Sequence, residues 1–425
     1  MKNFVIALVL AGLVVLSLGV RPSYAGEIDL LLQKLVDKGI LTPGEAQQIG
    51  TETKEQVKQE ISAGKYSSLP QWIQNTKLKG DFRFRYENGQ EEGQTQDSSA
   101  ARIRARVGIE SKINDNMKVG IGVATGTTSN PRSTNVTLGN QGTANTPASF
   151  KSIILDYAYG QYTPNNNFTF IGGKFKNSLW QPTDLLWDTD LNPEGVAINL
   201  AQKLNNRWSF FMNNLWFAMK NDTRSDAQSM MFAIQPGVDY TVNDKTNLRA
   251  AMAGYLFTGV QGKAKFNNWA TNSLSSANTY LYNYNSLNPS FLLSIKEPFR
   301  GLVPYLGIYG DYIYNVSAKH PSSYADRYGF DAGIAFGDEK VGDWKQWQAK
   351  IMYSKLGRDS FLDIFPDSDR YSGKTNMKAI EAIYEFGLGK STSFVLDYYY
   401  GTSLTKSGPN NMPQQVIQAD WNLKF

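Results

Sequence analysis

The 425-residue chain has no cysteine and one histidine, His320. Without cysteine, a disulfide framework, a thiolate-held metal and Cys-x-x-Cys-His haem attachment are excluded. His320 stands before Pro321 in a connecting stretch, where a lone histidine reads as solvated rather than catalytic. Long apolar runs are almost absent: after Phe4 to Val20 no stretch reaches the roughly 18 apolar residues that a helical span requires. Mean hydropathy is −0.39. The charge excess is small, +5 from 43 basic and 38 acidic residues, and does not argue for nucleic acid. Phosphate and calcium motifs are present only as fragments. Gly389-Lys390-Ser391 has Tyr384 where a P-loop needs its first Gly, and Gly120-Ile121-Gly122 has Thr125 where a dinucleotide fingerprint needs its third. Asp367-Ser368-Asp369 lacks the later ligands of a calcium loop.

The chain opens with a short basic stretch, Met1-Lys2-Asn3, then the apolar run Phe4 to Val20, then Ser23-Tyr24-Ala25 with small residues at −3 and −1 of a cleavage site. This reads as a signal peptide over residues 1–25 and an exported chain from Gly26. A retained anchor is the competing reading, but the run is short, glycine-containing and followed by a cleavage signal. Residues 26–75 are expected to be a helical segment, with a disordered linker of helical tendency as the competing reading. Ile28, Leu31, Leu32, Leu35 and Val36 recur at helical spacing and Gly39 stops them. Thr42, Pro43 and Glu45 then form a capping box for a second helix.

From Lys77 the period becomes two. Leu78, Gly80, Phe82, Phe84 and Tyr86 alternate with Lys79, Asp81, Arg83, Arg85 and Glu87. Ala101, Ile103, Ala105, Val107 and Ile109 alternate likewise with Arg102, Arg104, Arg106, Gly108 and Glu110. Further candidate strands lie near 117–127, 150–162, 168–176, 194–202, 208–219, 230–241, 247–257, 289–297, 303–315, 327–337, 344–354, 377–387, 393–401 and 415–425. Short turns such as Asn114-Asp115-Asn116 and Asn243-Asp244-Lys245 interleave with long connections near 88–99, 128–149, 177–193, 220–229, 258–288, 316–326, 355–376 and 402–414. Strands of about ten residues, each half apolar, give a polar average while still crossing a bilayer. The aromatic share of 13% would supply girdles at both interfaces. The expected fold over residues 76–425 is all-β, a 16-stranded antiparallel transmembrane β-barrel behind a short N-terminal helical periplasmic segment. A soluble sandwich would not repeat so many hairpins with one strand face so consistently apolar.

If the apolar face meets lipid, Arg83, Arg85, Arg102, Arg104 and Arg106 point into the lumen. Each would cost a few kcal/mol on the lipid side near the midplane. They form either a basic wall that attracts anions or a solvated wall whose arginines pair with Asp81, Glu87 and Glu110. The third long connection is acidic and aromatic, carrying Trp180, Asp184, Trp187, Asp188, Asp190 and Glu194.

The terminal alternation Trp421, Leu423, Phe425 resembles the C-terminal strand of outer-membrane β-barrels. That likeness implies an assembly signal for the barrel-insertion machinery. Residues 31–42, the arginine-rich second strand with Ile113-Asn114-Asp115-Asn116, and Asp190-Leu191-Asn192-Pro193-Glu194-Gly195 resemble the putative porins of Gram-negative outer membranes, and the barrel as a whole resembles the 16-stranded general porins. The resemblance implies a third loop folded inward, with Asp184, Asp188, Asp190 and Glu194 at a constriction facing the arginines. It further implies passive diffusion of small hydrophilic solutes, a homotrimer, and contact with outer-membrane lipid and lipopolysaccharide. No cofactor, metal or catalytic group is expected. Two alternatives stay open: a solute-specific anion channel, and a structural envelope protein tethered through its N-terminal segment.

Overall fold

A computed structural model describes residues 27–62, 71–92, 97–139, 148–220, 228–267, 271–319, 324–405 and 412–425. The expected signal peptide and His320 lie outside these residues. Two compact units divide between Gln74 and Asn75. In the first, α1 spans Glu27–Asp37 and α2 spans Pro43–Ser62. Gly39 follows α1 at φ 70°, the left-handed conformation that ends helices. The capping box closes as expected: Thr42 N donates to Glu45 Oε2 at 2.8 Å, and Glu45 N to Thr42 Oγ1 at 3.3 Å.

The second unit is one 17-stranded sheet. One member, Val136–Thr137, is a two-residue strand inside a loop, which leaves sixteen barrel strands. These are β1 (Thr76–Glu91), β2 (Ser98–Lys112), β3 (Met117–Thr125), β4 (Ile153–Asn165), β5 (Phe168–Lys174), β6 (Glu194–Lys203), β7 (Trp208–Lys220) and β8 (Ser229–Asn243). They continue with β9 (Thr246–Thr258), β10 (Ser286–Lys296), β11 (Tyr305–Asn315), β12 (Tyr328–Gly337), β13 (Trp347–Leu356), β14 (Met377–Gly389), β15 (Thr392–Ser403) and β16 (Gln414–Lys424). Each pairs antiparallel with its sequence neighbour, and β1 pairs with β16 through Asp81↔Lys424 to Glu91↔Gln414, so the sheet closes. Closure satisfies every ladder edge, as a lipid-embedded sheet requires. Phe425 extends the seam beyond β16: Gly80 N donates to Phe425 O and Phe425 N to Gly80 O, both at 3.0 Å. The Phe425 ring occupies the space that a side chain at position 80 would fill, which is why glycine stands there.

Parity decides the faces. Phe84, Val107, Ile121, Ile234, Leu256 and Ile351 all look outward and are exposed, Ile121 at 54%. An apolar belt of that extent in water would drive association, whereas in a bilayer it is the solvated state. The inward residues alternate with these, and the longer connections pack among them.

Candidate functional site

Inward parity on β1, β2 and β16 gathers a belt of charge. The strand pairings set Arg83 opposite Arg104 and Arg85 opposite Arg102 on one side of β1, and Arg85 opposite Asp420 on the other. Like charges placed directly across a ladder repel, so the guanidinium groups need anions between them. Asp420 supplies two contacts to Arg85, Nε to Oδ1 at 2.8 Å and Nη2 to Oδ2 at 2.9 Å, and lies 3.2 Å from Arg83 Nε. Asp81 bridges Arg104 Nη2 at 2.8 Å and Arg106 Nε at 2.7 Å. Glu87 receives Arg102 Nη1 at 3.2 Å. Two further carboxylates come from loops: Asp190 at 3.0 Å from Arg106 Nη1, and Asp369 at 2.8 Å from Arg85 Nη1. The five arginines are thus matched by five carboxylates: Asp81, Glu87, Asp420, Asp190 and Asp369. Glu110 pairs instead with Lys79.

Those loop carboxylates reach the wall because the connections fold inward. The third connection (residues 175–193) runs along the lumen. Trp180 N donates to Gln235 Oε1 of β8 at 2.7 Å, Thr183 Oγ1 to Asp311 of β11 at 2.5 Å, and Asn192 Nδ2 to Asp156 of β4 at 2.6 Å. Asp190 Oδ2 accepts from the N–H and hydroxyl of Thr134, which ties the second connection (residues 126–152) to the third. Asp188 accepts from Asp190 N at 2.9 Å and Ser368 N at 2.8 Å. Burial, with the Asp190 carboxylate beside it, pushes the Asp188 carboxyl up to about 7. Asp190 is as deeply buried, but Arg104 and Arg106 outweigh the burial and hold its carboxyl below the usual range. Glu194 opens β6, where its partner is Lys174 at 2.8 Å.

The seventh connection (residues 357–376) carries residues that sequence reasoning missed. A long polar connection between two strands is expected to run over the surface. Phe361, Leu362 and Phe365 are instead fully buried against Trp187 of the third connection and Tyr255 and Phe257 of β9. The Trp187 and Phe365 rings lie 4.6 Å apart, and Tyr255 and Phe361 5.1 Å. Arg370, 1% exposed, contacts Asp184 at 2.7 Å, Asp331 of β12 at 3.5 Å and Glu381 of β14. Burial works against its charge, but those carboxylates reverse the balance and keep it ionised. Arg132 of the second connection donates to the carbonyls of Asp363, Pro366 and Gly373. From the fifth connection (residues 259–285), Thr271 N and Asn272 N donate to Asp363 Oδ2, and Ser273 to Asp359. Four connections therefore form one interlocked body inside the barrel. A phenylalanine pair and an arginine in a long polar stretch carry little signal by themselves. The usable hint was that Phe361, Phe365 and Arg370 sit in a connection of this length.

At the seam, Trp421 looks outward, its ring edge-on to Phe82 at a centroid distance of 6.4 Å, and its Nε1 donates to Thr392 Oγ1 at 3.2 Å. Leu423 pairs with Phe82 in the β1 ladder.

The family described as putative porin matches this chain over residues 90–293 and 309–425. No curated protein matches it. Among solved structures, the high-pH structure of Pseudomonas putida OprB is similar at 8% identity and a TM-score of 0.52, covering 83% of this chain and 94% of that one. A triple mutant of Rhodopseudomonas blastica porin aligns at 10% identity and a TM-score of 0.45, covering 82% of this chain and all of that one.

Proposed function

The chain belongs to the putative porin family and is an outer-membrane porin, and we propose that its water-filled lumen passes small hydrophilic solutes and ions through a filter set by the charge-balanced belt and the inward loops. The observation that supports the filter most is the contact of Asp190 and Asp369, both loop residues, with Arg104, Arg106 and Arg85 of the wall. Solutes entering the barrel meet fixed charges of both signs within one low-dielectric ring, where they are less screened than at an open surface. Such a ring orients dipolar solutes and gives weak net selectivity. In this reading Asp184, Asp188 and Asp190 serve the constriction from the third connection. Arg370 and Asp369 serve it from the seventh, and Glu194 stands outside it with Lys174.

We propose in addition that the protein is exported by a cleaved signal peptide, assembles as a homotrimer and contacts lipopolysaccharide and the barrel-assembly machinery. Native electrophoresis of the outer-membrane fraction tests the trimer. The filter is tested in planar bilayers: purified protein should give stepwise conductance with a reversal potential near zero in a salt gradient. Strong selectivity of either sign would refute a balanced ring.

A further inference from the structure

Below the third connection lies a cavity of about 450 Å³ bounded by that loop and by β11, β13 and β14. Its charged lining residues are Lys176, Lys350, Asp184, Asp188 and Glu381. The three carboxylates are all engaged. Asp184 and Glu381 hold Arg370, and Asp188 holds two backbone N–H groups. Lys176 is engaged too, 3.3 Å from Asp156. Three groups are left over, and all can donate: Lys350, the Tyr309 hydroxyl and the Trp187 indole N–H, which is buried with no hydrogen-bond partner. Lys350 takes part in none of the ion pairs formed among the described residues. Tyr309, only 6% exposed, has a hydroxyl with no hydrogen-bond partner.

The register brings Lys350 and Tyr309 to neighbouring positions on the inward face. Tyr309 pairs with Gly333, which pairs with Met352, and Lys350 lies two residues along β13 on the same inward face. The Tyr309 ring lies over Gly333, close enough that a Cβ there would sit 2.7 Å from ring carbon Cε2. Glycine at 333 thus lets the ring lean across β12 toward β13. A buried donor without an acceptor costs about 1–3 kcal/mol, more when charged. A lumen cavity whose unpartnered groups can donate, beside carboxylate oxygens that can accept, is complementary to an anion that also carries hydroxyls.

We propose that this cavity is a binding station for small hydroxylated carboxylates, whose carboxylate is received by Lys350 and whose adjacent oxygen is received by the Tyr309 hydroxyl. The proposal rests on the channel reading and adds to it a solute class and two specificity residues. It differs from attraction by the arginine belt, whose guanidinium groups are already matched by carboxylates.

The test is current block by gluconate in planar bilayers holding the full-length protein in ~0.1 M salt, with glucose as the neutral control. Gluconate should reduce the current saturably, while glucose at equal concentration should give only a small linear decrease. Lys350→Gln should raise the half-blocking concentration roughly tenfold, the loss of one charge-assisted contact. Tyr309→Phe should raise it a few-fold. Lys350→Arg should keep the block, and so should Lys378→Gln on the outer face. A wild-type channel that conducts without saturable gluconate block overturns the station and leaves the porin reading intact. So does equal block by glucose, or a Lys350→Gln protein that still migrates as a heat-modifiable barrel and blocks like wild type. A protein that inserts but never conducts overturns both.

Discussion

At Ile103 and Arg104, one step along β2 moves a side chain from lipid to lumen. Arg104 is 8% exposed and shares Asp81 with Arg106. Arg104→Gln should therefore leave assembly intact, since Arg106 still holds the carboxylate. Ile103→Arg should impair it by about 2–4 kcal/mol if the site lies near the midplane. Heat-modifiable migration in the outer-membrane fraction reads both, and equal tolerance would refute the facing. Phe425 is a second decisive residue. Its backbone supplies the two seam bonds to Gly80 and its ring fills the glycine's free side. Deleting it should lower the amount of barrel recovered from the outer membrane more than the thermal stability of what is recovered. Unchanged recovery would count against an assembly role.

Among the elements, the seventh connection has the most at stake. Phe365 packs against Trp187 with the ring planes tilted by 52°, and meets Phe217 at 6.0 Å. Phe365→Ala should cost about 3–5 kcal/mol of packing, releasing the loop so that single-channel conductance rises and residues 357–376 become protease-sensitive. Acid should act in the opposite direction. A carboxyl whose folded pKa is raised holds its proton longer in the packed loops than in released ones, so packing weakens as pH climbs from the ordinary carboxylate range through the raised value. Asp188, at about 7, is such a group. Asp367, lifted by burial and by Asp184, acts in the same sense. Asp190 and Asp369 are shifted down and matter only below the ordinary range. The interlocked loops should then be tighter at about pH 5 than at pH 8, with lower conductance at pH 5. Asp188→Asn should flatten that difference, and a pH-independent conductance in the wild type would refute the assignment.

For the molecule as a whole, the matched charges make the mutant shifts more informative than the wild-type sign. Replacing Arg83, Arg85, Arg102, Arg104 and Arg106 by Gln leaves five carboxylates exposed to the lumen, and the reversal potential should move toward cation preference. Replacing Asp184, Asp188 and Asp190 by Asn unpairs Arg104, Arg106 and Arg370 from loop charge and should move it toward anions. Both shifts should shrink between ~0.1 M and ~1 M salt, as the screening length falls from about 10 Å to about 3 Å. A loop mutant indistinguishable from wild type would remove the third connection from the filter.

The barrel was legible because strand facing is a local property with period two: Phe82 and Phe84 must share one face of their strand, and Ile103 and Ile109 one face of theirs, whatever the rest of the chain does. Loop alternation and the terminal Trp421, Leu423, Phe425 were equally local, and even Asp420 could be assigned to the lumen by parity. What parity cannot supply is a partner. Asp420 meets Arg85 only because the last strand closes on the first, 335 residues away in sequence. The interior of the loops lay further out of reach. Arg370 is defined by Asp184, Asp331 and Glu381, and Phe365 by Trp187 and Tyr255's neighbours, groups brought together by barrel closure and not by any spacing. Alternation along the strands determined which side of the wall each residue occupies. The closed barrel decided which charges and rings meet across the lumen, because those contacts depend on strand register and shear summed over the whole circumference.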